Sequence, residues 1–559
     1  MSTRHCEVAI IGAGFGGIGM AIRLKCTGWD DFVILEQADK IGGTWRDNTY
    51  PGCTCDIPSH LYSLSFAPKA DWSRRYASQP EIYQHLEDCV DRFGLRPHLR
   101  LKASLKKATF DSTAGLWRMQ TDPGSDLAAR VLVLATGMLH RPAIPALHGI
   151  ESFSGTMFHS ARWDHAAEMR GKRVAVIGTG ASAVQLVPHV AGQAAHLALF
   201  QRSPAWVLPK SDSPFGPRRR WAMRHLPLLR RALRAWLYWS HEVRGIGFVL
   251  FPGLMAGPER QARSHAKRQL GDDELRTLLT PSDRMGCKRI LLSDDFYPSL
   301  NRANVQLVSA PITGVLPDGL ITADGVEHRA DILVFATGFQ ATDPIGSIEV
   351  VGCNGVTLSA AWRNGVHAHL GLAVAGFPNL FLLGGPNTGL GHNSVLFMLE
   401  AQIRHILRCL RLLRLRKAVS IEVRQEVQVA FARRLNGWMR RTVWLSGCRS
   451  WYLDRNGRNT TLWPGFSVGY WFRVRLISAW QYQFTRPERR RLFPALPITC
   501  WPGSARHGTI DIGDRGRTTS LDVHTMSMRG EPQQTALRDR SSGWPTGGVR
   551  RADGELPLD

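Results

Sequence analysis

The chain has 559 residues, 44% hydrophobic and 21% charged, which excludes a fibrous or wholly disordered protein and leaves room for several domains of roughly 150 residues each. Its formal charge of +24 raises nucleic acid or an anionic membrane as partners, but part of the excess is concentrated between 210 and 289, in a helical pattern around Arg218, Arg219, Arg220, Arg230, Arg231 and Arg234. A solvated basic helix surface accounts for that pattern without nucleic acid, with contact to acidic membrane or partner surfaces as the alternative.

The start, MSTRHCEVAIIGAG, runs directly into a strand with no pattern of an export signal, so a cytoplasmic protein is expected. Residues 7–35 read strand, Gly-rich turn, helix, strand. The turn, Gly12-Ala13-Gly14-Phe15-Gly16-Gly17, places Gly12, Gly14 and Gly17 where a dinucleotide fold needs a tight turn, a close backbone approach to pyrophosphate and close helix–strand packing. At the end of the next strand stands Glu36, placed to accept from a ribose 2′-hydroxyl and to repel a 2′-phosphate. FAD or NAD fits this unit and NADP does not. Cys53 and Cys55 follow in a Pro/Gly turn, too close together for easy bridging, and read as turn packing. The ten cysteines show neither a CxxC pair nor a metal-ligand spacing, so a reducing compartment and no metal site are expected. The apolar strand VLVLATG (131–137) closes the first unit.

A second strand–turn–helix begins after Lys172, with Gly178, Gly180, Ser182 and Ala183 in the fingerprint and Ala at the third glycine position. Its next strand ends in Gln201-Arg202-Ser203, without an acid, so Arg202 and the Ser203 hydroxyl can hold a 2′-phosphate by charge-assisted bonds. The alternative for Arg202 is a plain surface cation. The segment 210–285 is helical and basic; DILVFATGF (331–339) then repeats the earlier closing strand. That repeat suggests an α/β chain of two Rossmann-like dinucleotide-binding domains, the second inserted within the first and itself carrying the helical insertion. A long helix is expected at Ser394–Leu415. The most lipophilic stretch, around Gly245–Met255, is short and broken by Gly and Pro, so no transmembrane helix is expected. Beyond about 485 the periodicity fades into Gly, Ser, Thr, Arg and Asp, and 486–559 reads as a disordered tail.

Between the two units, Phe153-Ser154-Gly155-Thr156-Met157-Phe158-His159-Ser160-Ala161-Arg162-Trp163-Asp164 matches FxGxxxHxxxW(P/D) at every fixed position. With GGTWRDNTYPGCTCDIPSHLYSLSF (42–66), GCKRILLSDDFYPSL (286–300) and GGPNTGLGHNS (384–394), it resembles the Baeyer–Villiger monooxygenases, the class B flavoprotein monooxygenases, over about 6–475. The GCKRILLSDDFYP form is most similar to the branch of 4-hydroxyacetophenone monooxygenase and the mycobacterial prodrug-activating monooxygenase. The resemblance implies FAD, NADPH and O₂ as reactants, a C4a-peroxyflavin, and a ketone or sulfide substrate. It further implies that Arg289 sits beside the flavin and that Asp56 orients it and itself approaches the flavin and nicotinamide as a cofactor-binding residue. Lys288 would join Arg202 on the 2′-phosphate. Thr44, Trp45 and Asp47 would line the FAD, and Leu105 would give a backbone contact to the adenine. His159 would be a structural and relay residue. Asp56 can also be read as a turn-capping residue, and Arg289 as a phosphate or surface contact.

The implied division is 1–150 for the first part of the FAD domain, 151–209 for the linker and start of the NADP domain, and 210–285 for the insertion. The NADP domain then ends at 286–340, and 341–485 completes the FAD domain. The N- or S-oxygenating flavin monooxygenases share both nucleotide motifs, but Trp163-Asp164 argues against them. A disulfide reductase would need a CxxxxC near the flavin, where this chain has only Cys53 and Cys55. A membrane- or nucleic-acid-binding protein that kept a flavin fold without activity is the rival from a different class.

Overall fold

The continuous apolar runs at Val8–Ile11 and Val131–Leu134 lie side by side in parallel and are buried on both faces, which is why they do not alternate with polar residues. They belong to β1 (Arg4–Ile11) and β6 (Ser125–Leu134), in a computed structural model that describes residues 4–486 apart from 344, 449, 477 and 478. The tail read at 486–559 thus falls, after its first residue, outside the described residues. Strand β1 leads into α1 (Phe15–Lys25) and then β2 (Phe32–Leu35), the first strand–helix–strand unit. The sheet continues with β3 (Leu99–Arg100), β4 (Ser104–Asp111) and β5 (Leu116–Asp122).

A second sheet, parallel throughout, contains β7 (Thr156–His159), β8 (Arg173–Ile177), β9 (His196–Phe200), β10 (Val305–Val308) and β11 (Ile332–Phe335) in the order β10-β9-β8-β11-β7. The linker motif supplies its edge strand, with His159 paired to Phe335. Helix α2 (Ala183–Ala191) follows β8 as α1 follows β1. Two short segments, Val207–Leu208 and Leu291–Leu292, pair in parallel and bracket the insertion, so the chain leaves and returns at one place. Between them run α3 (Pro217–His225), α4 (Pro227–Val249), α5 (Ala256–Gln269) and α6 (Asp273–Leu278).

After β11 the chain returns to the first sheet: β12 (Glu349–Val351) pairs with β4, and β13 (Leu380–Leu382) pairs with β6. Helix α7 (Val395–Leu415), with Ser394 as its extended N-cap, agrees with the expected Ser394–Leu415. It carries buried polar groups with structural work to do. Gln402 accepts the Gly384 N–H at 2.9 Å and Glu400 accepts the Ser65 N–H at 2.7 Å, so this helix pins two loops that flank α1. Among the described residues no helix is long and apolar enough to cross a membrane.

Candidate active site

The glycines of the two turns divide into those that pack and those that are open. At Gly12, φ is +106° and an added Cβ would stand 2.6 Å from the Ala135 carbonyl oxygen; at Gly178, φ is +110° and the same distance separates a Cβ from the Ala336 oxygen. The matching contacts explain the repeated Ala-Thr-Gly: each closing strand ends against the first glycine of its own unit. A Cβ on Gly17 would lie 1.9 Å from the Gly12 oxygen, which is the close packing expected of the third position. Gly14 has nothing nearer than Gly43 Cα at 3.8 Å, and Gly180 has nothing within 4 Å. Those open sides, at the N-termini of α1 and α2, are where pyrophosphate would approach. Ala183 is fully buried at the start of α2, and Ser182 immediately precedes that helix, with its side chain beside the Tyr50 hydroxyl.

Glu36 is buried at the end of β2, where its carboxylate accepts from Ala13 N–H at 2.9 Å, Ala38 N–H at 3.1 Å and Arg46 at 2.8 Å. A carboxylate has about four lone-pair sites, so acceptor capacity remains for a ribose hydroxyl. Arg46 belongs to the short helix Thr44–Asp47, carried to the first turn by the Gly42 N–H bond to Ala13. Trp45 is buried and donates to Tyr62 at 3.1 Å; Asp47 pairs with Arg46 at 2.8 Å and Arg162 at 3.2 Å. One buried Asp47 oxygen, Oδ2, has no hydrogen-bond partner, the state expected of an acceptor awaiting a donor from a bound group. Leu105 lies just after residues 102–103, whose N–H groups bond the carbonyls of Ala38 and Glu36, and so falls near the same end of the cradle. An acidic ribose site, an open glycine and an unsatisfied acceptor together fit FAD.

At the second turn, β9 ends at Phe200 and Arg202 is exposed just beyond it. Lys288 reaches the Ser203 hydroxyl at 3.1 Å and pairs with Asp283 at 2.5 Å. The cations and the hydroxyl expected for a 2′-phosphate are therefore gathered at one strand end, which fits NADP. His159 accepts the Ala161 N–H at 3.1 Å and packs edge-on against Phe339, and burial lowers its pKa.

Arg289 and Asp56 meet across a sequence separation of 233 residues, with Arg289 Nε 2.9 Å from Asp56 Oδ2 and a second, shorter bond from the guanidinium to the same oxygen. The Asp56 charge raises the Arg289 pKa further, so the cation is retained at every accessible pH. Both side chains keep about a third of their surface open, 34% and 28%. The neighbouring segment is bound to the second nucleotide unit: Gln185 of α2 accepts from Thr54 N–H at 3.1 Å and donates to Thr54 O at 3.1 Å. Gly52 packs so closely on α2 that a Cβ would meet the Gln185 carbonyl at 2.6 Å. The Arg289–Asp56 pair thus stands where the two nucleotide units touch.

Sequence reasoning missed three parts of this site. Buried Tyr452 interacts electrostatically with Arg289 and Asp56, and burial pushes its phenol up to about 12. Lys210 donates to the Thr54 hydroxyl, and burial lowers its pKa. Cys287, two residues before Arg289, forms a disulfide with Cys448, four residues before Tyr452, a pairing absent from the sequence reading. A separation of 161 residues offers no local spacing by which the pair could be read. Cys53 and Cys55 are free and buried, as turn packing requires; burial pushes the Cys53 thiol up to about 11 and Cys55 higher still, away from redox reactivity. Among the described residues no cluster of His, Cys, Asp or Glu could hold a metal ion.

Comparison with known proteins places this geometry. The profile of the pyridine nucleotide-disulphide oxidoreductases matches residues 9–215, the part holding both glycine turns. A Baeyer–Villiger monooxygenase of Pseudomonas aeruginosa is 44% identical over 486 residues, covering 87% of this chain and 92% of the relative. One from Streptomyces coelicolor is 44% identical over 86% of this chain and 93% of its own length. Among solved structures, an oxidized steroid monooxygenase bound to NADP superposes with a TM-score of 0.77 at 30% identity, over 86% of this chain and all of that one. Cyclohexanone monooxygenase in its closed form gives 0.79 at 27% identity, over 87% of this chain and all of that one. The two glycine turns, the linker strand between their sheets and the length of these matches converge on one statement: the chain belongs to the Baeyer–Villiger monooxygenases, FAD-containing enzymes that use NADPH.

Proposed function

We propose that this chain uses NADPH and O₂ to insert one oxygen atom into a ketone, giving an ester or lactone, with sulfides as a second substrate class. The observation that carries this reading is the Arg289–Asp56 pair at the contact between the two nucleotide units. FAD, when bound and reduced by NADPH, supplies the oxygen activation. The chain's own part is binding, orientation and charge. Gly12, Gly14, Gly17, Glu36, Thr44, Trp45, Asp47 and Leu105 hold the flavin nucleotide. Gly178, Gly180, Ser182, Ala183, Arg202, Ser203 and Lys288 hold NADPH. Arg289 presents a permanent positive charge to the negative charge that develops on oxygen during attack on the carbonyl. Asp56 fixes the direction of that guanidinium and holds it near the flavin side of the cleft. Tyr452 and the Cys287–Cys448 bond brace the loop on which Arg289 stands.

The reading divides the chain into FAD-binding parts 1–150 and 341–485 around NADP-binding parts 151–209 and 286–340, with the insertion at 210–285 as a point of peripheral membrane contact. The test is product analysis by mass spectrometry with linear, cyclic and aryl ketones and one sulfide, with peroxide release followed in parallel. Wild type is expected to give esters with little peroxide. Arg289→Ala is expected to oxidise NADPH without ester formation. Ester formation by that variant at the parental rate would sink the assignment of Arg289.

A further inference from the structure

A helix on a protein surface normally hides its apolar face and shows its polar one. Helix α4 does the reverse over much of its length. Its inward positions carry polar groups with partners: Arg234 donates to the carbonyls of His60 and Leu61 at 3.1 Å, and the Tyr238 hydroxyl meets Ser467 at 3.0 Å. Glu242 accepts from Asn393 at 2.8 Å and from Ser467 at 2.7 Å. Its outward positions are Leu228, Ala232, Ala235, Trp236, Trp239 and Val243, spaced in steps of one, three and four that keep them on one side of the helix. Leu228 is 74% exposed, Trp236 64%, Trp239 53% and Val243 60%. From Leu228 to Val243 the stripe runs about 22 Å along the helix, far more than a scattered surface leucine. Trp221, in the preceding helix, and Phe251, just after α4, are exposed as well.

The chain segment that carries the stripe up to Glu242 has charge of one sign. Between Asp212 and Glu242 the chain carries no carboxylate side chain, while Arg218, Arg220 and Arg231 are exposed and form no ion pair among the described residues. A second copy docking symmetrically on this face would bring these cations toward their counterparts, with no acid in the segment to offset them. An anionic bilayer answers both features: tryptophans seat at the headgroup boundary and arginines reach lipid phosphates while their stems stay apolar.

We propose that the outer face of α4 docks on an anionic lipid surface, with Trp236 and Trp239 inserted at the headgroup level and Arg218, Arg220 and Arg231 paired with lipid phosphates. This rests on the membrane contact in the functional reading, and adds to it the face and the lipid chemistry. The protein would lie on the bilayer without spanning it. The opposite side of the same helix reaches the candidate active site, where Phe248 packs against Gly286, three residues before Arg289.

The test uses the full-length holoprotein with vesicles of phosphatidylcholine alone and of phosphatidylcholine mixed with phosphatidylglycerol, read by co-sedimentation and by the tryptophan emission wavelength. Binding to the anionic vesicles is expected to be at least about tenfold tighter than to the neutral ones, with a blue shift on binding. W236S/W239S is expected to lose binding about tenfold or more and to abolish most of the shift, whereas Leu415→Ser, at an exposed leucine on another helix, should change neither. No binding, equal binding to neutral vesicles, or binding indifferent to W236S/W239S would each overturn the proposal. A dimer broken by W236S/W239S, with no vesicle binding, would assign the stripe to a second copy instead. Loss of anionic-vesicle binding on R218E/R220E/R231E is likewise expected, and binding indifferent to that variant would overturn the pairing with lipid phosphates and with it the proposal. Ketone-dependent NADPH oxidation measured without vesicles reports on the oxygenase reading separately, so the two can fail independently.

Discussion

Arg289 illustrates how much a single side chain depends on its neighbours. The guanidinium is held by one Asp56 oxygen, and that ion pair fixes its direction while about a third of its surface stays exposed. Removing one preorganised donor to a developing oxyanion costs roughly a hundred- to a thousandfold in turnover. Arg289→Ala is therefore expected to lower ketone turnover by about that factor, measured as ester formed per NADPH consumed. Asp56→Asn keeps an acceptor but removes the charge, and is expected to lose less than Arg289→Ala. At the other site, Lys288 and Ser203 lie 3.1 Å apart with Arg202 beside them. A charge-assisted bond is worth about 1.5–3 kcal/mol, so Arg202→Ala or Lys288→Ala is expected to raise the KM for NADPH about tenfold or more. The KM for NADH should stay unchanged, because it lacks the 2′-phosphate, and an equal rise for both coenzymes would contradict the assignment. Arg202 and Ser203 were legible because charge at a strand end is a local signal, whereas Lys288, far along the chain, came only from the family resemblance. Tyr452 and Lys210 were not, since only the folded chain brings them to Asp56 and Thr54.

At the scale of elements, the two turns make a sharper prediction than either gives alone. A methyl group at Gly178 collides with the Ala336 oxygen in a backbone conformation that favours glycine, whereas at Gly180 it enters open space. Gly178→Ala should thus lower the melting temperature. Gly180→Ala should leave the melting temperature unchanged and weaken NADPH binding, as read by the KM. A Gly180→Ala protein that melted early would show that the space is needed for folding and not for a ligand. These elements were plain in the sequence because each is written within some thirty residues: apolar strand, glycine turn, helix, strand. The boundaries of α7 were read to within one residue for the same reason. What local reading could not supply is direction. The insertion reads as basic from its arginines, yet the outward stripe of α4 is apolar, because Arg234, Tyr238 and Glu242 turn inward to partners distant in sequence.

At the scale of the molecule, burial has a consequence for pH. Burial lowers the pKa of His60, His85, His241 and His405 to about 4 and of His369 to about 3, all below the unfolded value of about 6.5. Below pH 6.5 the unfolded chain therefore binds more protons than the folded one, and stability falls as pH drops from about 6.5 toward 4. The melting temperature, with FAD in excess, is expected to be several degrees lower at pH 5 than at pH 7; a constant or rising value would contradict this burial. The disulfide is likewise a property of the whole fold, joining the Arg289 loop to the Tyr452 loop across regions that look unrelated in the sequence. The nested order of the sheets was legible because Ala135-Thr136-Gly137 and Ala336-Thr337-Gly338 repeat one closing strand, while the substrate-facing loops around them follow no repeat. Delivery of one atom of O₂ to a ketone by these two nucleotide units can be followed by turnover under isotopically heavy oxygen gas with NADPH and mass spectrometry of the product. An ester or lactone carrying one heavy oxygen is expected. NADPH consumed with only peroxide formed, across every ketone and the sulfide, would contradict it.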